Sequence, residues 1–281
     1  MNTYTAIASD DTPSLEAIKA QHKATWEDGD YSHFAKYMQE GAIEVLKGWD
    51  IAPHTTLLDV GCGAGQTAIP AAESGIQVTG IDLAENLVEY ARERARKADL
   101  NARFHVGDAE DLPYADQSYD FVVSMFGAMF APRPERVVNE FARLLKPGGQ
   151  LFMANWTPTS MPTQMFKAVS RLVPTPSQTI PPVLWGDQTT VKQRLGKDFT
   201  DIRLTVRTYP QWQYPFDADE LVNLFRTYFG PVKRAFDSSS DADQLTLRQS
   251  LKHIFQSNST VKNGLLTITG GEYLEVVATR R

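Results

Sequence analysis

Cysteine is all but missing from this chain: one residue, Cys62, in 281. No intrachain disulfide can form, which suits a reducing compartment. Long apolar runs are missing too. No stretch reaches the roughly 20 residues of a membrane span. The opening sequence MNTYTAIASDDTPSLEAIKA lacks the basic-then-apolar order of a secretory leader. A cytoplasmic protein is expected. Positive charge is not in excess: 28 Lys and Arg stand against 34 Asp and Glu, for a net charge of −6. That argues against nucleic acid as the partner, because phosphate binding wants a basic face. The five histidines (22, 33, 54, 105 and 253) show no metal-ligand spacing, so no metal site is expected. Repeats and low-complexity tracts are absent.

What is present is aromatic weight and a rhythm. With 14 Phe, 10 Tyr and 5 Trp, a packed core is available. Ser14 to Lys47 patterns as helix, with a break at Glu27-Asp-Gly-Asp-Tyr31. Then strands and helices alternate. Strands are expected at Thr56–Val60, Gln77–Ile81, Arg103–Val106, Tyr119–Ser124 and Gln150–Asn155. Helices are expected at Gly65–Glu73, Glu85–Ala98 and Glu135–Leu145, the last closed by a turn at Lys146-Pro-Gly-Gly149. Such spacing means right-handed βαβ units and a parallel sheet covered on both faces. Pro70 lies past the first turn of its expected helix and should bend it. After Asn155 the rhythm breaks. Residues 157–200, dense in Pro, Ser and Thr, read as an inserted cap. A strand at Arg203–Tyr209, helices at Asp217–Tyr228 and Asp241–Phe255, and a strand at Tyr273–Thr279 follow.

The segment Leu57 to Ala72, LLDVGCGAGQTAIPAA, puts Gly61, Gly63 and Gly65 directly after the first strand. Ligands of open parallel sheets bind at the carboxyl ends of the strands, where strand order reverses. Bare backbone there permits tight turns and close approach, and the following helix offers free N–H groups. Asp82 ends the second strand, where a carboxylate can accept from both hydroxyls of a ribose. Two ligand classes fit. A dinucleotide wants G-x-G-x-x-G, but the third glycine here comes one position early and Gln66 takes the last place. Asp59 is awkward beside a pyrophosphate and natural beside a cation.

Several segments together resemble a family. Asp59-Val-Gly-Cys-Gly-Ala-Gly65, Asp82, Gly107-Asp-Ala-Glu-Asp-Leu-Pro113, Asp120-Phe-Val-Val-Ser124 and Leu145-Lys-Pro-Gly-Gly149 are similar, in order, to the cofactor motifs of class I S-adenosylmethionine-dependent methyltransferases. The nearest subgroup holds the ubiquinone/menaquinone C-methyltransferases and many small-molecule enzymes. The resemblance covers about residues 55–156. It implies an α/β Rossmann-like fold of seven strands, mostly parallel, with the final strand antiparallel. It implies S-adenosylmethionine as cofactor and S-adenosylhomocysteine as product. Gly61 and Gly63 would pass close to the methionine moiety, with Cys62 and Gln66 also among the cofactor-binding residues and Asp59 biasing the field toward cations. Asp82 would hold the ribose and Leu83 pack by the adenine. Asp108 would accept from the adenine amino group, the Ala109 N–H would reach a ring nitrogen, and Gly107 is also among the cofactor-binding residues. Ser124, Met125 and Phe126 would line the methionine end, with Tyr31 reaching in from the N-terminal helices.

On this reading residues 1–50 form a helical lid, 51–156 the cofactor core, 157–200 a cap over the acceptor, and 201–281 complete the sheet. No side chain is assigned as a catalytic acid or base. Cys62, between glycines and without an adjacent base, reads as a small turn residue rather than a nucleophile. His105 reads as structural, while His33, on the expected lid, is a candidate to face substrate. No Asn/Asp-Pro-Pro-Tyr follows the fourth strand, which speaks against methylation of DNA bases or protein glutamine. The expected acceptor is a small apolar or aromatic molecule. A dinucleotide-dependent oxidoreductase and a non-catalytic cofactor-binding module are the alternatives.

Overall fold

The computed structural model describes residues 13–173 and 179–281; residues 1–12 and part of the expected cap, 174–178, lie outside the described residues. Three helices come first: α1 (Leu15–Glu27), α2 (Tyr31–Ala35) and α3 (Gln39–Gly48). The sheet region follows: β1 (Thr56–Val60), α4 (Ala68–Glu73), β2 (Gln77–Asp82), α5 (Glu85–Lys97), β3 (Arg103–Val106), β4 (Tyr119–Met125), α6 (Pro134–Leu144) and β5 (Leu145–Trp156). Then come α7 (Met161–Val169), a short turn of helix at Pro182–Gly186, α8 (Gln188–Leu195), β6 (Phe199–Thr208) and β7 (Gln213–Tyr214). Helices α9 (Ala218–Tyr228), α10 (Gly230–Asp237) and α11 (Asp241–Ser257) precede β8 (Ser259–Lys262), β9 (Leu265–Ile268) and β10 (Glu272–Arg280).

Seven strands form one sheet in the order β3-β2-β1-β4-β5-β10-β6, and β7, β9 and β8 form a second, small one. β1 pairs in parallel with both β2 and β4, so strand order reverses at β1 and a crevice opens beyond the ends of β1 and β4. β10 runs antiparallel to β5 and β6, as expected of the final strand. The central strands are buried from both sides. Leu57, Leu58, Val122, Val123, Met153 and Ala154 are fully buried, which is why these runs read as continuous rather than alternating. Helix α5 turns Leu87, Val88, Ala91 and Ala95 inward at helical spacing.

Some boundaries differ from the sequence reading, for physical reasons. Helix α4 starts at Ala68, not Gly65, because residues 61–67 form the turn itself. Pro70 is therefore the third helical residue. An amide there has no partner inside the helix, so its absence bends nothing. Lys146-Pro-Gly-Gly149 is not a separate turn. It lies within β5, where the register against β4 slips between Tyr119 and Phe121.

The N-terminal helices do not hang free. Gly29, inside the break between the expected helices, is pinned by a backbone bridge to Phe229. A Cβ at Gly230 would lie 1.9 Å from the Thr25 carbonyl oxygen, so α1 and α10 touch backbone to backbone. Phe34, buried, packs its ring 4.7 Å from Phe225 and 5.2 Å from Phe229. The roof over the sheet is thus built jointly by residues 15–48 and 217–237.

Candidate active site

The end of β1 and the turn after it form the floor of a cleft. Gly61 and Gly63 sit there with φ +72° and +50°. Their reasons for being glycine differ. A Cβ on Gly61 would lie 2.5 Å from the Gly127 Cα, so Gly61 lets the loop after β4 cross it. A Cβ on Gly63 would meet nothing nearer than Gln66 Oε1 at 3.6 Å; that position faces open space.

Tyr31, Asp59, Gly61, Cys62, Gly63, Gln66, Asp82, Leu83, Gly107, Asp108, Ala109, Met125 and Phe126 all line this one cleft, which encloses about 1150 Å³ including its open mouth. Ser124 does not line it. Its hydroxyl donates to the Val60 carbonyl at 2.7 Å and accepts from the Ala128 amide at 2.9 Å, so it ties two loops together from within the core. His33 also lies elsewhere, bonded to Asp30 and stacked on Tyr228. His105 pairs with the Tyr114 hydroxyl at 2.8 Å.

Electrostatically the floor is acidic. Asp82 accepts from the Gly63 amide at 2.8 Å and the Ala84 amide at 2.9 Å, fixing the carboxylate between two loops. Burial still raises its pKa against those two amides. Asp59 is buried, and its Oδ2 has no hydrogen-bond partner. Burial first, then the charge of Asp82, push its pKa up to about 7. The same causes lift the Cys62 thiol well above its usual range, which fits a turn residue and not a nucleophile. Tyr31 is likewise held protonated by burial and by Asp82.

Three contributors escaped the sequence reading. Lys19, from α1, lies 2.5 Å from Asp108 Oδ2 and 2.6 Å from Glu110 Oε2. Glu110 is buried and also accepts from the Arg133 amide and Nε. His22, one turn beyond Lys19, lines the same cleft, and burial lowers its pKa despite the charge of Glu110. Phe126 holds φ +58°, rare for a bulky residue. Its ring stacks on Trp156 at 3.6 Å, contact that helps hold the strained backbone. An open α/β sheet with a glycine turn, a strand-end carboxylate and an acidic floor defines a nucleotide-cofactor cleft built for a cation.

A family profile described as "Methyltransferase domain" matches residues 58–153. An uncharacterised protein of Mycobacterium tuberculosis is 32% identical over 238 residues, 83% of this chain and 85% of its own length. The demethylmenaquinone methyltransferase of Listeria welshimeri is 38% identical over 136 residues, 46% of this chain and 58% of its own. Among solved structures, Haemonchus contortus phosphoethanolamine N-methyltransferase 2, in complex with phosphomonomethylethanolamine and S-adenosylhomocysteine, shares the fold with TM-score 0.60. The two are 20% identical, over 95% of this chain and 60% of that one. A Bacillus halodurans protein gives TM-score 0.57 at 20% identity, over 84% and 97%. This chain belongs to the class I S-adenosylmethionine-dependent methyltransferases, in the group that resembles the ubiquinone/menaquinone C-methyltransferases. It is an enzyme that uses S-adenosylmethionine, and the oxidoreductase alternative falls. No helix among the described residues is long and apolar enough to cross a membrane.

The cleft fits that cofactor on its own evidence. An unpartnered buried carboxylate is costly unless something positive or hydrogen-bonding arrives. Asp59 Oδ2 is such a group, and it lies in a cleft with a second carboxylate, Asp82.

Proposed function

We propose that this enzyme methylates a small apolar or aromatic acceptor, whose reacting end enters an aromatic recess beside the cofactor cleft. One observation carries the reading. Trp26, Tyr31, Met38, Phe126 and Phe130 line both the cleft and a second, smaller space. The remaining walls of that space, among them Phe34, Trp156, Met165 and Phe229, include no carboxylate, histidine, lysine or arginine among the described residues. Rings and thioethers suit a planar or apolar molecule. The names of the Listeria relative and the Haemonchus structure support a small acceptor as well.

Within the cleft, Asp82 would hold the ribose, Asp108 and the Ala109 amide the adenine with Leu83 and Gly107 beside it, and Gly61, Cys62, Gly63 and Gln66 the methionine end under Asp59. Bound S-adenosylmethionine supplies a methyl group already activated by sulfonium charge. The protein's own work is then alignment and exclusion of water. Tyr31, Phe126 and Phe130 wall the junction between cleft and chamber. Among the described residues walling the chamber there is no carboxylate or histidine to take a proton from the acceptor. Residues 1–50 act as lid and 157–200 as cap, with 51–156 as cofactor core and 201–281 completing the sheet. Phe225 and Phe229 show that this last segment also walls the chamber.

Calorimetry tests the cofactor half: S-adenosylhomocysteine should bind and NAD should not. NAD binding without S-adenosylhomocysteine binding would reject it. For the acceptor half, methyl-labelled cofactor should pass its label into the organic-soluble fraction of a metabolite extract. Label found only in macromolecules would reject that half.

A further inference from the structure

On the far side of Trp26 and Phe130 lies a third space, bounded by α1, α7, the Pro182–Gly186 turn and α10. It encloses about 1680 Å³ with its open mouth, against about 410 Å³ for the aromatic recess. Trp26 and Phe130, with ring centroids 5.0 Å apart, line this outer cavity, the recess and the cofactor cleft alike. The three spaces meet at those two rings. Of the cavity's described walls, only Met129, Phe130 and Pro132 fall within residues 58–153, the segment shared with the family. The cavity is thus built by what this chain adds around its cofactor core.

Phe166, Val169, Ile180, Val183 and Pro231 give the cavity its apolar surface. Three of its hydroxyls are already taken by the backbone. Thr25 donates to the Gln21 carbonyl at 2.8 Å, Thr163 to that of Thr157 at 2.7 Å, and Ser170 to that of Lys167 at 3.1 Å. Charge is balanced as well. None of the described lining residues is an aspartate or glutamate, and the ionisable ones are His22, Lys167 and Arg234. Arg234 Nε lies 3.2 Å from Asp28, and the adjacent Lys233 bridges Asp28 at 3.0 Å and Asp237 at 2.7 Å. Two acids therefore answer two cations. Burial lowers the pKa of His22 against the charge of Glu110, which keeps that imidazole neutral at pH 7. Lys167 is exposed, with its Nζ 3.3 Å from the Pro158 carbonyl, so its charge stays in water. An ion carried inside would lose hydration and find no free counter-charge. An uncharged apolar body avoids that cost and gains by leaving water.

We propose that the outer cavity holds the body of the acceptor, and that the acceptor is an uncharged, elongated apolar molecule. Its reacting end passes Trp26 and Phe130 into the recess beside the cofactor. The proposal rests on the acceptor reading above and adds to it a place, a length and the absence of charge.

The test uses the full chain and two fluorescent probes. N-phenyl-1-naphthylamine is neutral, and 8-anilinonaphthalene-1-sulfonate carries the same rings with an anion attached. The neutral probe should bind at least about tenfold more tightly. Decan-1-ol should displace it at lower concentration than either decanoate or decylammonium. Val183→Trp and Ser170→Trp add bulk from two walls, neither at a fully buried position. Each should weaken the neutral probe about tenfold. Calorimetry should find their S-adenosylhomocysteine binding unchanged, which also shows that they fold. With methyl-labelled cofactor and a metabolite extract, both variants should transfer label about tenfold more slowly at subsaturating extract. The labelled product should pass into hexane at pH 3 and pH 8 alike, as a carboxylic acid or an amine would not. Equal or tighter binding of the sulfonate, preference for either ion, undiminished probe binding or label transfer in both variants, or product held in water at either pH would each overturn the proposal. If wild type passes no label to organic-soluble molecules, the acceptor reading falls and this proposal with it. If it does and one of those results appears, the cavity loses its role and the acceptor reading stands.

Discussion

Asp59→Asn removes a charge and leaves the shape of the side chain almost unchanged. Asp59 is buried and its Oδ2 is unpartnered. Burial, then Asp82, raise its pKa from the usual 3.8 to about 7, with the Ala68 amide pulling the other way. The folded state therefore holds this proton more tightly than the unfolded chain. The contribution to stability is fully present below pH 3.8 and is lost as pH rises through about 7. The gap between the two values corresponds to about 4 kcal/mol at pH 8. An asparagine NH₂ left without a partner returns about 1–3 kcal/mol of that. The variant should thus be more stable than wild type at pH 8 by about 1–3 kcal/mol, or some 2–5 °C in Tm. At pH 5 the cost in the wild type falls to about 1.6 kcal/mol, because the unfolded carboxyl is still ionised, and the unpaired asparagine amide offsets it, so the difference should nearly vanish. Affinity for S-adenosylmethionine should fall at pH 8 by about tenfold or more, because the charge facing the cation is gone. Thermal melts at both pH values, with calorimetry at pH 8, measure all three. A variant less stable than wild type at pH 8 with unchanged cofactor affinity would refute the reasoning.

Other substitutions separate folding from binding. Gly61→Ala should destabilise by about 3 kcal/mol or more, because its Cβ meets the Gly127 backbone; a thermal melt checks this. Gly63→Ala, facing open space, should cost about 1 kcal/mol for its positive φ and show its effect in calorimetry instead. Asp82→Asn should weaken S-adenosylhomocysteine binding by about 1–3 kcal/mol, and a folded variant with unchanged affinity would relocate the ribose. Lys19→Met leaves Glu110 its partner Arg133 but unties α1 from Asp108. Stopped-flow should show faster release of S-adenosylhomocysteine, and an unchanged rate would make the contact incidental.

Much of the sheet was legible because its strands are short, apolar and fenced by turn residues. Thr56–Val60 and Arg103–Val106 have the expected limits. Leu145–Trp156 was cut short because a Pro-Gly-Gly turn signal gives no hint that a neighbouring strand will absorb it as a register slip. Helix α10 was missed for a similar reason: Gly230-Pro231 has the residues of a breaker, yet Gly230 is required for contact with α1 and Pro231 sits where a helix tolerates it. The acids around the cleft were legible as motif residues. Their partners were not. Lys19 is 89 residues from Asp108, and no local pattern marks a lysine on one element as the counter-ion of a loop on another. Ser124 shows the converse. Its place at a strand end suggested the cleft, but its hydroxyl is taken by Val60 and Ala128.

The most direct test of the central account is transfer of labelled methyl from S-adenosylmethionine to an extract of small metabolites, with wild type and Asp59→Asn at pH 8 read side by side. Wild type should place the label in organic-soluble, apolar or aromatic molecules, and the variant should do so at least about tenfold more slowly at subsaturating cofactor. Label confined to protein or nucleic acid, or an equal rate from the variant, would contradict it.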